Sequence, residues 1–292
     1  MQATIAVLSR YPVKSMLGET VDRVAVGERG LLGDRAWAVI DRSDGKVASA
    51  KNPRKWSGLL QCHASFIEPP SSGVTVPPVE IRLPTGETCR TDRPGADAVL
   101  ATYLGRDVAL AAIAPEDRHF EEVWPDIDGL APEEFVQSTV IGREPTGEAV
   151  SDIPLGLASP PGTFFDLSLL HILTTSTLER LAAAAPSADF DWRRYRPNIL
   201  VDGAGEGFAE NTWSGRTIRV GDAVFSVAMP TMRCVMTSLA QPGLPQDHST
   251  LRTIAQTNRL EIPGLGIWAC AGVYADVVAG GTIAVGDPVA ID

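Results

Sequence analysis

Cys234 is the residue of this sequence whose type and setting most clearly suggest chemistry. It lies in the stretch 229–237, after a strand pattern at 224–227, beside Arg233 and before a Gly/Pro-rich loop at 241–245. A thiolate is both a nucleophile and a soft metal ligand, and a neighbouring positive charge lowers the pKa of a thiol. A free cysteine at a strand end is also commonly a small buried hydrophobic residue. The stretch alone leaves both interpretations open.

Four polar clusters at predicted strand or helix ends could bind an anion. They are Lys14-Ser15, Asp34-Arg35, Thr175-Ser176 and Arg194-Tyr195-Arg196-Pro197-Asn198. A helix N-terminus presents unpaired N–H groups to an anion, hydroxyl groups donate hydrogen bonds, and guanidinium groups bind phosphate in a bidentate manner. Together the clusters offer what a phosphorylated ligand needs.

Each of these residues also has a purely structural interpretation. A buried histidine in an apolar run is commonly a satisfied core residue, and an exposed ion pair contributes little to stability. The structural alternatives are a solvated turn for Lys14, a surface ion pair for Asp34-Arg35, a helix N-cap for Ser176, solubilising charge for Arg194 and Arg196, and a core position for His171.

Composition bounds the class of protein. The 292 residues suffice for two modest domains, and 44% hydrophobic with 21% charged residues is typical of a soluble globular protein. A net charge of -11 argues against general binding to nucleic acid or to an anionic membrane. We find no signal-peptide pattern and no apolar window long enough for a membrane span.

The cysteines indicate a reducing compartment. Cys62, Cys89, Cys234 and Cys270 are widely spaced, without a C-x-x-C pair, so neither a disulfide framework nor a zinc motif is predicted. A cytoplasmic location is therefore expected. The sequence also lacks a G-x-S-x-G elbow, a P-loop, a Rossmann fingerprint and an H-E-x-x-H motif.

The hydrophobic pattern predicts a β-rich α+β protein in three regions. Residues 1–113 read as short strands with close turns, typical of a small barrel or sandwich, with a hairpin turning at Asp44-Gly45 and a helix over 96–104. Residues 114–165 are acidic and rich in Pro and Gly, which favours a linker or a surface excursion, and a docking or lid element is an alternative.

The third region, residues 166–292, resumes with a buried strand pattern at 167–173. A capping box from Ser176 to Glu179 predicts the start of a helix, and a second short helix is predicted over 249–260. The segments 217–224 and 282–289 are similar, and each predicts a strand, a Gly-Asp turn and a second strand.

The order of these motifs resembles the MOSC superfamily over nearly the whole chain. The N-terminal part is similar to the family's β-barrel domain, and the C-terminal part to the MOSC domain proper, as in the amidoxime-reducing component and its bacterial counterparts. The matching motifs are Tyr11-Pro12-Val13-Lys14-Ser15, Gly33-Asp34-Arg35-Ala36-Trp37, Arg196-Pro197-Asn198-Ile199, Ala209-Glu210-Asn211-Thr212-Trp213, Val220-Gly221-Asp222, Arg233-Cys234 and Val285-Gly286-Asp287-Pro288-Val289.

This resemblance implies domains at 1–113 and 166–292, joined by 114–165, with a molybdenum cofactor (molybdenum bound to molybdopterin) between the two domains. Cys234 would be the catalytic thiolate and the protein's ligand to the metal. By the same resemblance, the pterin and its phosphate would be held by Lys14, Ser15, Arg35, Thr175, Ser176, Arg196 and Asn198.

The activity implied by the resemblance is the reduction of N-hydroxylated or other N- or S-oxygenated small molecules, without pyridoxal phosphate. Neither the N-terminal membrane anchor of mitochondrial relatives nor the C-terminal ferredoxin domain of some bacterial ones is found here. Electrons are therefore expected from a separate protein of flavin-reductase, ferredoxin or cytochrome type. Two alternatives stay open: a non-catalytic carrier of the cofactor or of sulfur, and a biosynthetic enzyme that uses Cys234 as a nucleophile without molybdenum.

Overall fold

Strands dominate the architecture, as the many short apolar alternations predict. The computed structural model describes residues 2–71, 73, 75–156 and 160–292, and within them it has twenty strands and five short α-helices. The predicted β-rich α+β class is confirmed.

The helices are short and lie between strands. Their bounds are Pro53–Trp56 (α1), Ala96–Leu104 (α2), Glu133–Thr139 (α3), Thr175–Ala184 (α4) and His248–Thr257 (α5). The predictions of α2 and α5 are confirmed, although α5 ends three residues earlier than expected. The capping box at Ser176 is wrong, because the side chain of Thr174 accepts the cap hydrogen bond from the Thr177 N–H at 3.2 Å, so α4 begins at Thr175.

The strands follow the chain in small groups. Strands β1 to β9 are Thr4–Arg10, Glu19–Thr20, Arg23–Gly27, Gly30–Leu31, Ala38–Asp41, His63–Phe66, Val79–Arg82, Thr88–Arg90 and Val108–Ala111. Strands β10 to β20 are His119–Trp124, Val140–Arg143, Ala149–Pro154, Leu170–Thr174, Ile199–Asp202, Thr217–Val220, Ala223–Met232, Arg259–Ile262, Gly266–Ala279, Gly281–Ala284 and Ala290–Ile291.

One nine-stranded sheet joins the two ends of the chain. Its order is β2-β1-β14-β13-β18-β16-β15-β20, with β17 paired to β18. β1 pairs antiparallel with β14, and β13 and β14 run parallel. The N-terminal strands are therefore built into the same sheet as the C-terminal half, with a shared core that includes Ile5, Leu8, Phe225 and Val273.

Two local predictions are replaced by long-range pairing. β5 pairs with β9 over four residues. With the return strand of the predicted hairpin at Asp44-Gly45, β5 forms a single bridge, from Ile40 to Val47, and no ladder. β19 pairs with β3, and β20 with β15, so the segment 282–289 is not a hairpin. In both cases an apolar strand distant in sequence offers more buried contact than the local return strand does.

The segment 114–165 contains regular structure of its own. β10, β12 and β11 form a three-stranded sheet, and α3 lies between β10 and β11 in sequence. Two aromatic residues of β10 are buried in different clusters. Phe120 packs with Ala38 and Val47, and Trp124 packs in the core that contains Trp268. The domain limits at 113 and 165 stay predictions.

Irregular pairing at the end of β16 determines the direction in which the chain leaves the sheet. The β16 to β18 ladder shifts register between Val227 and Met229 and again between Pro230 and Met232. A proline inside a strand is accommodated at such a bulge because it has no N–H to donate. The second bulge comes directly before Arg233, whose N–H still donates to the carbonyl of Ala269 at 2.8 Å, and the chain then leaves the sheet at Cys234.

No helix in the described part of the chain is long and apolar enough to cross a membrane.

The core beneath α5 generates a stability prediction. Leu251 is fully buried between α5 and the strands that carry Trp268, so Leu251→Ala should lower the free energy of unfolding by about 2–5 kcal/mol. The adjacent Arg252 is exposed, and Arg252→Ala should change it by less than about 0.5 kcal/mol. Urea denaturation of both variants measures the difference; equal effects would contradict the packing described.

Candidate functional site

Cys234 lies where the two halves of the chain meet. It precedes a 3₁₀-helix at Val235–Ser238, and its carbonyl accepts a hydrogen bond from Thr237 Oγ1 at 3.1 Å. It is half-buried and, with Lys51 from the N-terminal half, lines a cavity of about 120 Å³. Cys234 therefore lies just past the end of β16, as the strand pattern at 224–227 predicts.

The thiol is neutral in the absence of a metal. Burial raises the pKa of Cys234, and Glu122 acts in the same direction. Lys51 and Arg233 lower the pKa, as expected for nearby cations, but burial outweighs them. A bound metal ion removes the proton from a coordinating thiol, so this environment suits a metal ligand better than a free thiolate nucleophile.

Arg233 supports the wall of the site rather than reaching into solvent. Its Nη2 donates to the carbonyl of Tyr195 at 3.0 Å, and its Nη1 lies 3.5 Å from His171 Nε2. Its guanidinium lies over the Tyr195 ring at 5.4 Å, and its buried Nε has no hydrogen-bond partner among the described residues. Arg233 thus links the Cys234 loop to the segment that carries Arg196.

His171 is a buried neutral residue. Burial lowers the pKa of His171 well below its ordinary value, and the charge of Arg233 lowers it as well. Hydrogen bonds with the backbone of Arg196 and Ala271 raise the pKa, but they do not outweigh burial. Gly272, at φ +87°, leaves room for the ring, since a Cβ there would lie 2.3 Å from His171 Nε2. The interpretation of His171 as a packed residue holds, although its neighbours belong to the candidate site.

A buried group of charges connects Cys234 to the predicted anion site. Lys14 forms an ion pair with Asp166, and its Nζ donates to the Phe164 carbonyl at 3.1 Å. Lys51 Nζ lies 3.5 Å from Asp166 and 3.1 Å from Glu122. Burial lowers the pKa of Lys14 to about 8 despite Asp166. Burial alone would raise the pKa of Asp166, but Lys14 and Lys51 hold it well below its ordinary range.

Arg196 is a buried cation whose guanidinium contacts an aromatic ring. Its guanidinium lies 4.1 Å from the centroid of the Tyr11 ring, its Nη1 has no hydrogen-bond partner among the described residues, and it forms no ion pair there. Burial lowers its pKa to about 10, and Arg35 acts in the same direction. Arg35 itself is paired with Asp34 and lies 5.1 Å from the same Tyr11 ring.

Three predicted cofactor residues have a left-handed backbone. Ser15 has φ +64°, Arg35 φ +48° and Arg196 φ +56°, and within the described ranges no other non-glycine residue has a positive φ. This conformation is unfavourable for residues with a Cβ and is concentrated at functional sites. Ser15 Oγ accepts from the N–H of Ala50, next to Lys51, at 3.1 Å. The strained positions therefore belong to segments that meet around the buried charges.

Asn198 joins the N-terminal and C-terminal parts of this group. Its Nδ2 donates to Asp34 Oδ2 at 3.0 Å and to the Ser9 carbonyl at 3.3 Å, and its Oδ1 accepts from the His171 N–H at 3.1 Å. Asn198 is 1% exposed, and these contacts use both ends of its amide. Asn198 thus fixes the carboxylate of Asp34, which in turn pairs with Arg35.

Thr175 and Ser176 lie elsewhere. They follow the C-terminal end of β13, whereas Arg196 and Asn198 precede the N-terminal end of the parallel strand β14. Thr175 Oγ1 donates to Asp202 at 2.6 Å, and Ser176 Oγ lies 3.0 Å from Thr174 Oγ1. These two residues do not join the cation group, and their assignment to the cofactor stays a prediction.

The buried carboxylate of Glu210 lies beside the start of α4 and accepts its hydrogen bonds. Glu210 Oε2 accepts from Thr174 and Thr177 at 2.6 and 2.8 Å, and Oε1 accepts from the Gly272 N–H at 3.1 Å. The anion-binding capacity expected at this helix N-terminus is thus met by the protein itself.

Sequence reasoning missed four residues of the site: Lys51, Glu122, Asp166 and Tyr274, which line the same cavity as Cys234. Each is a single polar residue in an unremarkable local pattern, and they converge through long-range packing. The strongest available signal was the Glu121-Glu122 pair between the apolar residues Phe120 and Val123, where charged residues interrupt a buried strand.

Comparison with known families identifies the architecture. Residues 162–290 match the family model described as the MOSC domain, and residues 2–55 match that of the MOSC N-terminal beta barrel domain. Together these matches cover more than half of the chain, and the chain belongs to the MOSC superfamily. The expected combination of an N-terminal barrel domain with a MOSC domain is confirmed.

Individual relatives are distant. The chain is 21% identical over 275 residues to the human (Homo sapiens) protein named molybdenum cofactor sulfurase, a match that covers 86% of this chain and 28% of that protein. Among solved structures, the YUAD protein from Bacillus subtilis is 11% identical, with a TM-score of 0.45, 100% of this chain covered and 96% of the other. YiiM from Geobacillus stearothermophilus is 18% identical, with a TM-score of 0.31 and coverage of 43% and 54%. We draw nothing about the site from likenesses of this size.

The shared counter-ion generates a pH prediction. Asp166→Asn removes the carboxylate that Lys14 and Lys51 share, so the free energy of unfolding at pH 7 should fall by about 2 kcal/mol. This decrease is smaller than that for a fully buried pair, because the Asp166 side chain is 32% exposed. Since the pKa of Lys14 is already lowered to about 8 and falls further in the variant, the folded variant loses that proton more readily. The deficit should therefore shrink as pH rises from 6 to 10.

Urea denaturation at several pH values measures this deficit. Asp107→Asn, at an exposed carboxylate 3.5 Å from Arg42, is the matched control and should change the free energy of unfolding by less than about 0.5 kcal/mol at every pH. A deficit for Asp166→Asn that is constant or grows toward pH 10 would contradict the coupling to Lys14.

Proposed function

We propose that this protein is a molybdenum-cofactor-dependent oxidoreductase that reduces N-hydroxylated or other N- or S-oxygenated small molecules. The observation that carries the proposal is the position of Cys234, which lines a cavity between the two halves of the chain next to buried cations. Membership of the MOSC superfamily and the name of the human relative support the link to the molybdenum cofactor. Electrons would come from a separate donor protein.

The residues present suit an anionic, thiolate-ligated cofactor. Arg196 offers a buried guanidinium whose Nη1 lacks a partner among the described residues, and Arg35 lies on the same aromatic ring. Guanidinium groups bind phosphate in a bidentate manner, and burial strengthens that attraction. We assign the anionic end of the cofactor to Arg196, Arg35, Lys14 and Ser15, and the metal to Cys234.

In this proposal the protein's own residues bind, orient and exclude water. When bound, the cofactor supplies two-electron oxygen-atom transfer chemistry. Reduction of an N-hydroxyl group consumes two electrons and two protons and releases the oxygen as water. Cys234 holds the metal at the cavity wall, and Lys51 and Glu122 set the charge beside it. The aromatic side chains of the same cavity reduce water access, which strengthens these electrostatic interactions.

The nucleophilic alternative receives no support from the site. A catalytic cysteine that acts without a metal needs a lowered pKa, whereas burial raises the pKa of Cys234. His171, the histidine nearest to Arg233 in the described contacts, is engaged with backbone groups and not with Cys234.

Elemental analysis tests the proposal. Protein purified from a cofactor-competent host should contain close to one molybdenum per chain and should reduce a model N-hydroxyamidine anaerobically with a chemical electron donor. Arg196→Gln should raise the Kd of the cofactor at least about tenfold, because it removes a charge-assisted contact of about 1.5–3 kcal/mol, and the variant should lose molybdenum faster than the wild type on dialysis. Arg219→Gln is the matched control: Arg219 is exposed, pairs with Asp292 away from Arg196, and should leave the molybdenum content unchanged.

Two results would contradict the proposal. Less than about a tenth of an equivalent of molybdenum in the wild-type protein would exclude a tightly held cofactor. Molybdenum without turnover of any N- or S-oxygenated compound would favour the carrier alternative over an enzyme.

A further inference from the structure

The cavity at Cys234 is aromatic on one side and polar on the other. Trp124, Phe135 and Trp268 contact one another, with ring centroids 6.1 Å apart for Trp124 and Phe135, 6.0 Å for the two tryptophans and 5.0 Å for Phe135 and Trp268. The polar side of the same cavity includes Lys51, Glu122 and Asp166, and Lys51 contacts both carboxylates.

The aromatic wall presents apolar surface because its polar atoms are already used. Trp124 Nε1 donates to Ser151 Oγ at 2.8 Å, and Trp268 Nε1 donates to the Leu265 carbonyl at 2.8 Å. Ser151 Oγ also accepts from Thr139 Oγ1 at 2.8 Å, which ties α3 to β12. The rings are therefore held in place before any ligand arrives, and preorganised apolar walls bind with less loss of entropy.

The size of the cavity limits what it admits. Its volume is about 120 Å³, and an apolar cavity of roughly 150 Å³ accommodates a molecule of benzene. The space between the walls is therefore about that of one aromatic ring.

We propose that this cavity is a ring-sized recess that selects substrates whose N-oxygenated group is attached directly to a single aromatic ring. The aromatic ring would pack among Trp124, Phe135 and Trp268, and the oxygenated group would then lie toward Cys234. This inference rests on the proposed function for the identity of the oxygenated group. The recess itself rests on the contacts of the wall.

The proposal also assigns a role to the segment 114–165. Trp124 on β10 and Phe135 on α3 come from this segment, as do Phe120, Glu122, Ile153 and Pro154 of the cavity lining. The segment that composition identifies as a linker or surface excursion would thus supply the wall that determines substrate choice, against Trp268 on β18.

Ligand titration of the full chain, read by tryptophan fluorescence, tests the recess, because Trp124 and Trp268 line it. Three N-hydroxyamidines that differ only in a methyl, phenyl or naphthyl substituent are compared. Burial of one ring predicts a Kd for the phenyl compound at least about tenfold lower than for the methyl compound. The naphthyl compound should bind no more tightly than the phenyl compound, because its second ring would lie outside the recess.

Variants of Phe135 locate the effect. Phe135→Ala should raise the Kd of the phenyl compound at least about fivefold, since it removes one side of the wall. Val136→Ala is the matched control, because Val136 is on the same helix and packs on the same core but does not line the cavity, and the Kd should change less than about twofold. Phe135→Trp preserves aromatic packing and fills the recess, so it should weaken the phenyl compound without affecting the methyl compound.

Equal affinity for the methyl and phenyl compounds, stronger binding of the naphthyl compound, or unchanged binding in both Phe135 variants would each overturn the recess. The titration needs neither molybdenum nor turnover. A chain without molybdenum that still prefers the phenyl compound would therefore sink the proposed function while supporting the recess, and the two failures are distinguishable.

Discussion

Burial of several cations at one place is the constraint on which the rest of the site depends. Lys14, Lys51, Arg35 and Arg196 come from both halves of the chain, and like charges out of water repel strongly unless anions accompany them. Asp166 pairs with both lysines, Glu122 pairs with Lys51, and Asp34 pairs with Arg35. Arg196 has an aromatic face but no carboxylate in the described part of the chain. The balance of charge therefore points to an anion that the protein does not provide.

The sheet explains how such distant segments are brought together. β1 lies beside β14, so the chain that leaves β1 toward Tyr11 and Lys14 passes the chain that enters β14 through Arg196 and Asn198. The bulged end of β16 directs Arg233 toward His171 and Tyr195 and releases Cys234 at the cavity wall. Backbone strain is concentrated at Ser15, Arg35 and Arg196 and is tolerated because the surrounding pairing fixes these positions.

Local patterns predicted the elements better than the contacts between them. The helix over 96–104 was predicted at its observed bounds, because its apolar spacing and the glycine that ends it are local signals. The pairings of β5 with β9 and of β3 with β19 have no local signal, because they depend on which apolar strands meet after collapse. For the same reason Asp166 and Lys51 carry no motif. Cys234, Arg35 and Arg196 were singled out by residue type and local setting, and the resemblance to the MOSC superfamily supplied their expected roles.

The most direct test of the account is the ligand set of the metal, measured by X-ray absorption at the molybdenum edge on protein from a cofactor-competent host. Cys234 is proposed to contribute one sulfur in addition to those of the pterin dithiolene. The wild-type spectrum should therefore require one more sulfur neighbour than that of Cys234→Ser, while Cys89→Ser, in the core of the N-terminal half, should match the wild type. The same number of sulfur neighbours in wild type and Cys234→Ser would contradict the account.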